Sequence, residues 1–502
     1  MKKILNINEL RNIRNKYKKN KIILAHGTFD FFHYGHLRHL IKSKKQADVL
    51  VVSLTADKFV RKGPGRPIYS QMQRAEIISS LDFVDYVVII NSVSGIEVIK
   101  SLKPNLYSKG VEYKKKSNDF TKKILLEEKT LKECGGKIYY TNQLVLSSSS
   151  LINQINSNLN SPKDIFLTKF RKKTNFNHIY KNFENISKKK ILVVGDSILD
   201  EYIFTKALAK SPKEELISVK EEKKTLYMGG ILATAKHISN FVKKPTLLTI
   251  IGNDKKTNNL IKKSFSNKKC NLVFFEDKNR KNIKKTRYLD EHKNKLFQSN
   301  DVPYEYISDN LEKKVLSYLN KSLQNFDLVV VNDFGHGFLT SKIRRVLEKK
   351  SKKLSINVQS NSANLGYSFF NKYKKCDYLT MDEPEARMAT SERFGSIEIL
   401  IKKVLKKIKA KTVAITYGAN GTKIISSGKI YNVPALSSNP VDTLGAGDAF
   451  FAISSIYSLI DKEPENIAFI GNLSGSLKIQ YLGHETYLEP DTLFPYLKSL
   501  LS

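Results

Sequence analysis

Val441-Asp442-Thr443-Leu444-Gly445-Ala446-Gly447-Asp448-Ala449-Phe450 sets a carboxylate among small residues at the head of an apolar run. Gly445, Ala446 and Gly447 leave backbone N–H groups able to converge on an anion, and a helix beginning there adds the positive end of its dipole. Asp448 is then positioned to take a proton from an attacking hydroxyl, which is how a phosphoryl-transfer site can be built. The competing reading is an ordinary helix start, since Asp favours first turns.

A second stretch, Gly27-Thr28-Phe29-Asp30-Phe31-Phe32-His33-Tyr34-Gly35-His36, follows the apolar, strand-like run Lys21-Ile22-Ile23-Leu24-Ala25. A helix starting near Tyr34 brings His33 and His36 to its N-terminus. There the imidazoles and open amides can hold a triphosphate and stabilise charge developing at its α-phosphorus, while Gly35 lets phosphate approach the backbone. Metal ligation is the alternative for two histidines three apart, but no third ligand is spaced to join them and no Cys lies nearby.

The 502 residues exceed one ordinary core and predict two domains. Hydrophobic residues make up 41% of the chain, as in a soluble globular protein. A formal charge of +38 invites a nucleic-acid partner, yet the lysines are spread along the whole sequence among abundant Asn and Ile, so nucleic acid is not expected. The field would still attract anionic sugar phosphates and nucleotides. Cys134, Cys270 and Cys376 are isolated and form neither a C-x-x-C site nor an evident disulfide framework, which suits a reducing cytoplasm. No signal-peptide core follows Met1-Lys2-Lys3, and no segment approaches the ~20 apolar residues that span a bilayer, so a cytoplasmic protein without a membrane partner is expected. A homo-oligomer is compatible with the sequence.

Apolar runs at 21–25, 48–54 and 84–90 read as buried parallel strands, and Leu37, Leu40 and Ile41 sit at helical spacing between the first two. In such doubly wound sheets ligands bind beyond the carboxyl ends of the strands, where Gly27 to His36 falls. The chain turns polar from 153 to 190, but its aromatics and aliphatics predict docked helices rather than a disordered tether. Beyond it, Ile191-Leu192-Val193-Val194-Gly195 and Val329-Val330-Val331-Asn332-Asp333 read as further buried strands. The expected fold is α/β throughout: a Rossmann-like domain at 1–155, a helical linker at 156–188 and a second α/β domain at 189–502.

The G-T-F-D…H-x-G-H pattern resembles the cytidylyltransferase-like nucleotidyltransferase family. That resemblance implies that Gly27, Thr28, Phe29, Asp30 and Gly35 surround the nucleotide and that His33 and His36 are catalytic. Lys62-Gly63-Pro64-Gly65-Arg66-Pro67 and Arg74 resemble the family's basic loop, which makes Arg66 and Arg74 candidate phosphate contacts, with a solvated turn and helix as the alternative. Lys45 matches a family lysine that reaches the phosphates, with a surface lysine as the alternative. Lys109-Gly110-Val111-Glu112-Tyr113 resembles the family's K-G-x-D-Y, with Glu112 where Asp is usual, and implies that Lys109 lines the pocket. Leu146-Ser147-Ser148-Ser149-Ser150-Leu151-Ile152 resembles I-S-T-T-x-x-I, so Ser147, Ser148 and Ser149 would cap the last helix and bind phosphate.

The C-terminal run resembles D-T-x-G-A-G-D of the ribokinase-like sugar kinases. Gly195-Asp196-Ser197-Ile198-Leu199-Asp200 resembles their sugar-binding start, implying Asp196 and Asp200 on sugar hydroxyls; a turn with two solvated acids is the alternative. Gly229-Gly230 resembles the family's G-G dipeptide, although the Asn usual a few residues on is missing. Asp382-Glu383-Pro384-Glu385 stands in the place of N-x-x-E, with Asp for Asn, implying that Glu385 organises Mg2+ through water; simple helix capping by those acids is the alternative. Thr416, Gly418 and Gly421 resemble a T-x-G-x-x-G nucleotide loop, and Asn472 is expected near the adenine.

The pairing of modules resembles the bifunctional heptose-phosphate kinases and adenylyltransferases of lipopolysaccharide precursor synthesis, in which the kinase comes first rather than second. It implies a kinase step on a sugar such as heptose 7-phosphate and nucleotidyl transfer to a sugar 1-phosphate. Mg2+ is implied as cofactor, with ATP and CTP as candidate nucleotide substrates. A cytidylyltransferase for a polyol phosphate fused to another sugar kinase is the alternative within enzymes, and a scaffold or sensor with one inactive half is the alternative outside them.

Overall fold

The computed structural model describes residues 3–114, 123–142, 161–210, 214, 217–265, 269–437 and 440–502. They form two compact units, one of residues 1–176 with 490–502 and one of residues 177–489.

In the first unit a six-stranded parallel sheet has the order β1-β4-β3-β2-β5-β6. Its strands are β1 (Ile4–Leu5), β2 (Ile22–Gly27), β3 (Val49–Thr55), β4 (Tyr86–Ile90), β5 (Leu106–Gly110) and β6 (Lys137–Thr141). The continuous apolar runs exist because both faces are covered. Ile22, Leu24 and Val51 enter one core cluster, while Ile23, Ala25 and Val52 enter another, as alternation across a strand requires. The helix Tyr34–Lys44 follows β2, and His33 is its N-cap.

The second unit is built on nine strands in the order β11-β10-β7-β14-β15-β16-β17-β18-β19, parallel except for the last two pairings. These are β7 (Ile191–Gly195), β10 (Thr246–Ile251), β11 (Asn271–Glu276), β14 (Leu328–Asp333), β15 (Leu354–Val358), β16 (Lys375–Asp382), β17 (Lys409–Thr416), β18 (Thr422–Ser426) and β19 (Lys429–Val433). A separate four-stranded sheet, β13-β12-β8-β9, comprises β8 (Ser197–Lys210), β9 (Ile217–Gly229), β12 (Ile283–Leu289) and β13 (Lys295–Asp301). Asp200 therefore stands inside a long strand rather than on a solvated turn. The parallel register pairs it with Lys285 on β12.

Glycine is forced at the β17–β18 hairpin. Gly421 has φ +93°, and a Cβ there would lie 2.2 Å from the Val433 carbonyl oxygen. Gly421→Ala should lower the stability of the second unit by roughly 1–3 kcal/mol. Urea unfolding of wild type and variant checks this, and an unchanged midpoint would show that the turn relaxes freely.

Candidate active sites

In the first unit β2 ends at Gly27, and the loop to the next helix carries Phe29 at φ +48°. A Cβ on Gly27 would approach the Phe29 ring to 3.0 Å, so a larger residue here would press on that ring. Asp30 is fully buried and ties the loop to the basic segment, accepting from the Arg66 Nε and, at 2.5 Å, from the Ile68 amide. Arg66 keeps its buried Nη2 without a protein partner.

The His33 and His36 rings stack with centroids 3.8 Å apart. His33 Nδ1 accepts the Gly35 amide at 3.0 Å, which in the neutral ring assigns the proton to Nε2. That Nε2 is buried and unpartnered, as is His36 Nδ1. Burial, the neighbouring His33 and Lys62 push His36 down to about 3, so the empty pair is uncharged near neutrality. A polyanion beside these rings would favour their protonated forms. Lys62, quoted above only as part of its loop, is also held down, to about 8, by burial and by Arg66.

Other expected residues of this unit have different duties. Arg74 donates to the carbonyls of Thr28 (2.6 Å), Thr55 (2.9 Å) and Tyr69 (3.0 Å) and to Asp57 Oδ1 (2.6 Å). Its guanidinium is a strut under the Gly27–Asp30 loop, not a free phosphate contact. Lys45 is the C-cap of the helix whose N-cap is His33, hence roughly 18 Å from it along the axis at ~1.5 Å per residue, and it is exposed. Lys109 pairs with Glu127 at 3.0 Å and lies over the Tyr107 ring. Although burial opposes ionisation, Lys109 and His26 hold Glu127 at about 2. Ser147, Ser148 and Ser149 lie outside the described residues, as does the side chain of Glu112.

In the second unit a cavity of about 260 Å3 opens at the carboxyl ends of β14 to β17. It brings together the expected Asp200, Gly230, Glu385, Thr416, Gly445, Gly447 and Asp448. Gly445, at φ +78°, is the N-cap of the helix Ala446–Ser458. Turn bonds engage the Ala446 and Ala449 amides, with Thr443 and Gly445 carbonyls, and no such bond takes those of Gly447 or Asp448. A Cβ on Gly447 would meet nothing within 4 Å, so the backbone stays open to a ligand.

Asp448 Oδ1 accepts from Asn332 Nδ2 (2.9 Å) and Gln359 Nε2 (2.8 Å), which leaves Oδ2 without a protein donor among the described residues. Burial, aided by the charge of Asp200, raises its carboxyl to about 6 against those two hydrogen bonds. Glu385 closes a capping box with Asp382 at the helix Glu383–Thr390, and its Oε1 also accepts the Ser360 amide at 2.9 Å. Burial and Asp382 raise it to about 8.

Asp200 accepts from Arg287 Nη1 at 2.5 Å and lies 3.5 Å from His484 Nε2. A Cβ on Gly229 would sit 1.8 Å from Asp200 Oδ2, so Gly229 serves by making room rather than by lining the cavity. Asp196 is buried behind Gly230, with Oδ1 unpartnered. Ala446, Gly418 and Gly421 do not line the cavity. Asn472 does not line the cavity: its amide bonds Thr422 Oγ1 (2.6 Å) and the carbonyls of Val433 (2.9 Å) and Pro434 (3.1 Å), clamping the hairpin to the helix Pro464–Lys478.

Lys285, Arg287, Asn332, Gln359 and His484 were not identified as site residues by their sequence. The two-residue spacing of Lys285 and Arg287, which puts both on one face of β12, was the available signal. No carboxylate lies within ion-pair distance of the Lys285 ammonium among the described residues, and burial lowers its pKa.

Residues 188–491 match the model of the pfkB family carbohydrate kinases, and residues 24–155 match the cytidylyltransferase-like model. The chain belongs to the pfkB carbohydrate kinase family. Over 131 residues it is 39% identical to the bifunctional protein HldE of Campylobacter curvus, covering 25% of this chain and 28% of that one. Over 117 residues it is 42% identical to the bifunctional protein HldE of Campylobacter jejuni, covering 23% and 25%. The chain thus spans about a quarter of the length of the curated relatives it matches. An Arabidopsis thaliana ribokinase solved with ribose and ATP superposes with a TM-score of 0.50 at 16% identity, over 62% of this chain and 99% of that one. The Escherichia coli phosphofructokinase-2 solved with substrates and products gives 0.50 at 13%, over the same shares, and both show the fold.

A carboxyl at about 6 gives the expected role of Asp448 a kinetic test. Asp448 is protonated below that value, so with Asp448 as the base phosphoryl transfer should rise with pH through about 6 and then level. A pH–rate profile flat between about pH 5 and 8 would exclude Asp448 as the base.

Proposed function

We propose that the chain carries out two steps toward a nucleotide-activated sugar. The pfkB unit phosphorylates a sugar phosphate from ATP, and the cytidylyltransferase-like unit transfers a nucleotidyl group from an NTP to a sugar 1-phosphate with release of pyrophosphate. Heptose 7-phosphate is the leading acceptor for the first step.

The observation that carries the kinase half is Asp448, fixed through one oxygen and free at the other, at the start of a helix with open amides. Oδ2 orients the sugar hydroxyl and takes its proton as that oxygen attacks the γ-phosphorus, while the amides near Gly447 meet the charge on the transferring group. Buried Lys285 and Arg287 suit an acceptor that is itself anionic. Among the described residues no cluster of three or more His, Cys, Asp or Glu is found. Asp382 and Glu385 line the cavity, so they are the carboxylates that would hold Mg2+, with phosphate oxygens and water completing its shell, and the ion would neutralise phosphate charge.

In the first unit the acceptor phosphate attacks the α-phosphorus in line. His33 Nε2–H, the His36 ring, Lys62 and Arg66 surround the charge that develops on the departing pyrophosphate.

The experiment is turnover of the full chain with heptose phosphates and ATP or CTP, following ADP and pyrophosphate separately. Asp448→Asn should remove ADP formation by orders of magnitude and leave pyrophosphate release intact, and His36→Ala should do the reverse. Lys285→Met should raise KM for a phosphorylated acceptor at least tenfold, about 1.4 kcal/mol, with kcat little changed. ADP formation that survives Asp448→Asn would end the kinase assignment.

A further inference from the structure

A second cavity, about 470 Å3, lies at the other ends of the same central strands, in the range of ~300–1,000 Å3 typical of ligand pockets. It is reached by the first residues of β14 to β17, whereas Asp448 sits beyond their last residues. None of its lining residues takes part in the chemistry above.

Its rim is cationic. Lys411 Nζ is 2.7 Å and Lys353 Nζ 3.9 Å from one oxygen of Asp377, whose other oxygen accepts the Leu354 amide at 2.9 Å. Among the described residues Lys462, on the same rim, donates to the carbonyls of Ser458 (3.0 Å) and Leu459 (3.2 Å). The second acid of the lining, Asp461, accepts at Oδ2 from the Tyr457 hydroxyl (2.9 Å), Asn182 (3.1 Å) and Asn466 (3.0 Å) and at Oδ1 from the Glu463 amide (2.9 Å). Three ammonium groups thus face two carboxylates, Asp377 and Asp461, which leaves one positive charge of the lining without a counter-charge. Burial, with the charge of Lys353 next, lowers the Lys462 pKa, so an anion at this rim would be favoured.

The floor holds an unmet polar group. Ser355, on β15, is 1% exposed and its Oγ has no hydrogen-bond partner. Native interiors pair such hydroxyls, so an orphan facing a cavity signals a missing acceptor or donor. Leu328, Ile467 and the Tyr378 ring supply apolar wall between rim and floor.

We propose that this cavity binds a phosphate monoester of mononucleotide size, with its phosphate on Lys353, Lys411 and Lys462 and a polar atom of its remainder on the Ser355 hydroxyl. The site is separate from both reaction centres and goes beyond their proposed chemistry. The ligand is a nucleotide or a sugar phosphate, which share the phosphate that the lysines recognise.

Hydrogen–deuterium exchange on the full chain tests this with AMP, ribose 5-phosphate and adenosine as probes. Either phosphorylated probe should protect peptides covering 353–356, 409–412 and 458–462, and adenosine should protect them far less. Protection by AMP alone assigns a nucleotide, and protection by ribose 5-phosphate assigns a sugar phosphate. In the combined variant Lys353→Gln, Lys411→Gln, Lys462→Gln the midpoint should move at least tenfold, and in Ser355→Val severalfold. Protection of 445–450 by ATP should be unchanged in both variants, which shows that they fold and keeps this outcome apart from that of the kinase reading. No protection by either phosphorylated probe, equal protection by adenosine, or an unmoved midpoint in the lysine variant overturns the proposal.

Discussion

A carboxylate kept out of water at the start of a helix is the constraint on which the kinase unit is organised. Left alone there, Asp448 would be costly to ionise, and its pKa of about 6 records that cost. Two amides from different strand ends, Asn332 near the end of β14 and Gln359 just after β15, hold one oxygen. That arrangement needs a parallel sheet, because only parallel neighbours deliver consecutive carboxyl ends to one edge. The helix Ala446–Ser458 must then enter at that edge, and Gly445 at φ +78° turns the chain into it.

The four-stranded sheet answers the same carboxylate from the other side. β12 brings Lys285 and Arg287 into the cavity, and the Arg287 pair with Asp200 supplies partners that a buried acid and a buried cation both require. The glycines nearby follow from this packing. Gly229 exists because Asp200 occupies the space a Cβ would take, and Gly445 because His484 stands 2.8 Å from where a Cβ would be. In the first unit the equivalent logic uses neutral rings: His33 and His36 are buried with unmet nitrogens, and the fixed cations are Lys62 and Arg66 on a loop anchored by Asp30.

Local pattern carried a good part of this. The runs read as strands at 21–25, 48–54, 84–90 and 191–195 are β2, β3, β4 and β7 to within a few residues, because strands buried on both faces must be continuously apolar. The glycine and aspartate spacing at 441–450 and the Gly27–His36 stretch gave the helix starts at Ala446 and Tyr34, because tight turns and helix starts are decided within a few residues. Arg74, Lys45 and Asn472 have surroundings that their motifs did not name, for one reason. A motif gives a residue type and a position, while the direction and partners of a long polar side chain depend on what folds around it. Arg74 meets three carbonyls, Lys45 follows its helix away from His33, and Asn472 clamps a hairpin.

The sequence by itself determined the alternation of strands and helices, the two turns that follow β2 and precede the helix Ala446–Ser458, and the place of Asp448 in the first turn of that helix, since each is a short-range consequence of apolar period, glycine and helix polarity. Only the tertiary structure decided which distant groups meet: Asn332 and Gln359 on Asp448, Arg287 on Asp200, and three lysines around Asp377. These contacts join residues tens to more than a hundred positions apart, and their energies depend on burial and dielectric, which exist only once the sheets have packed.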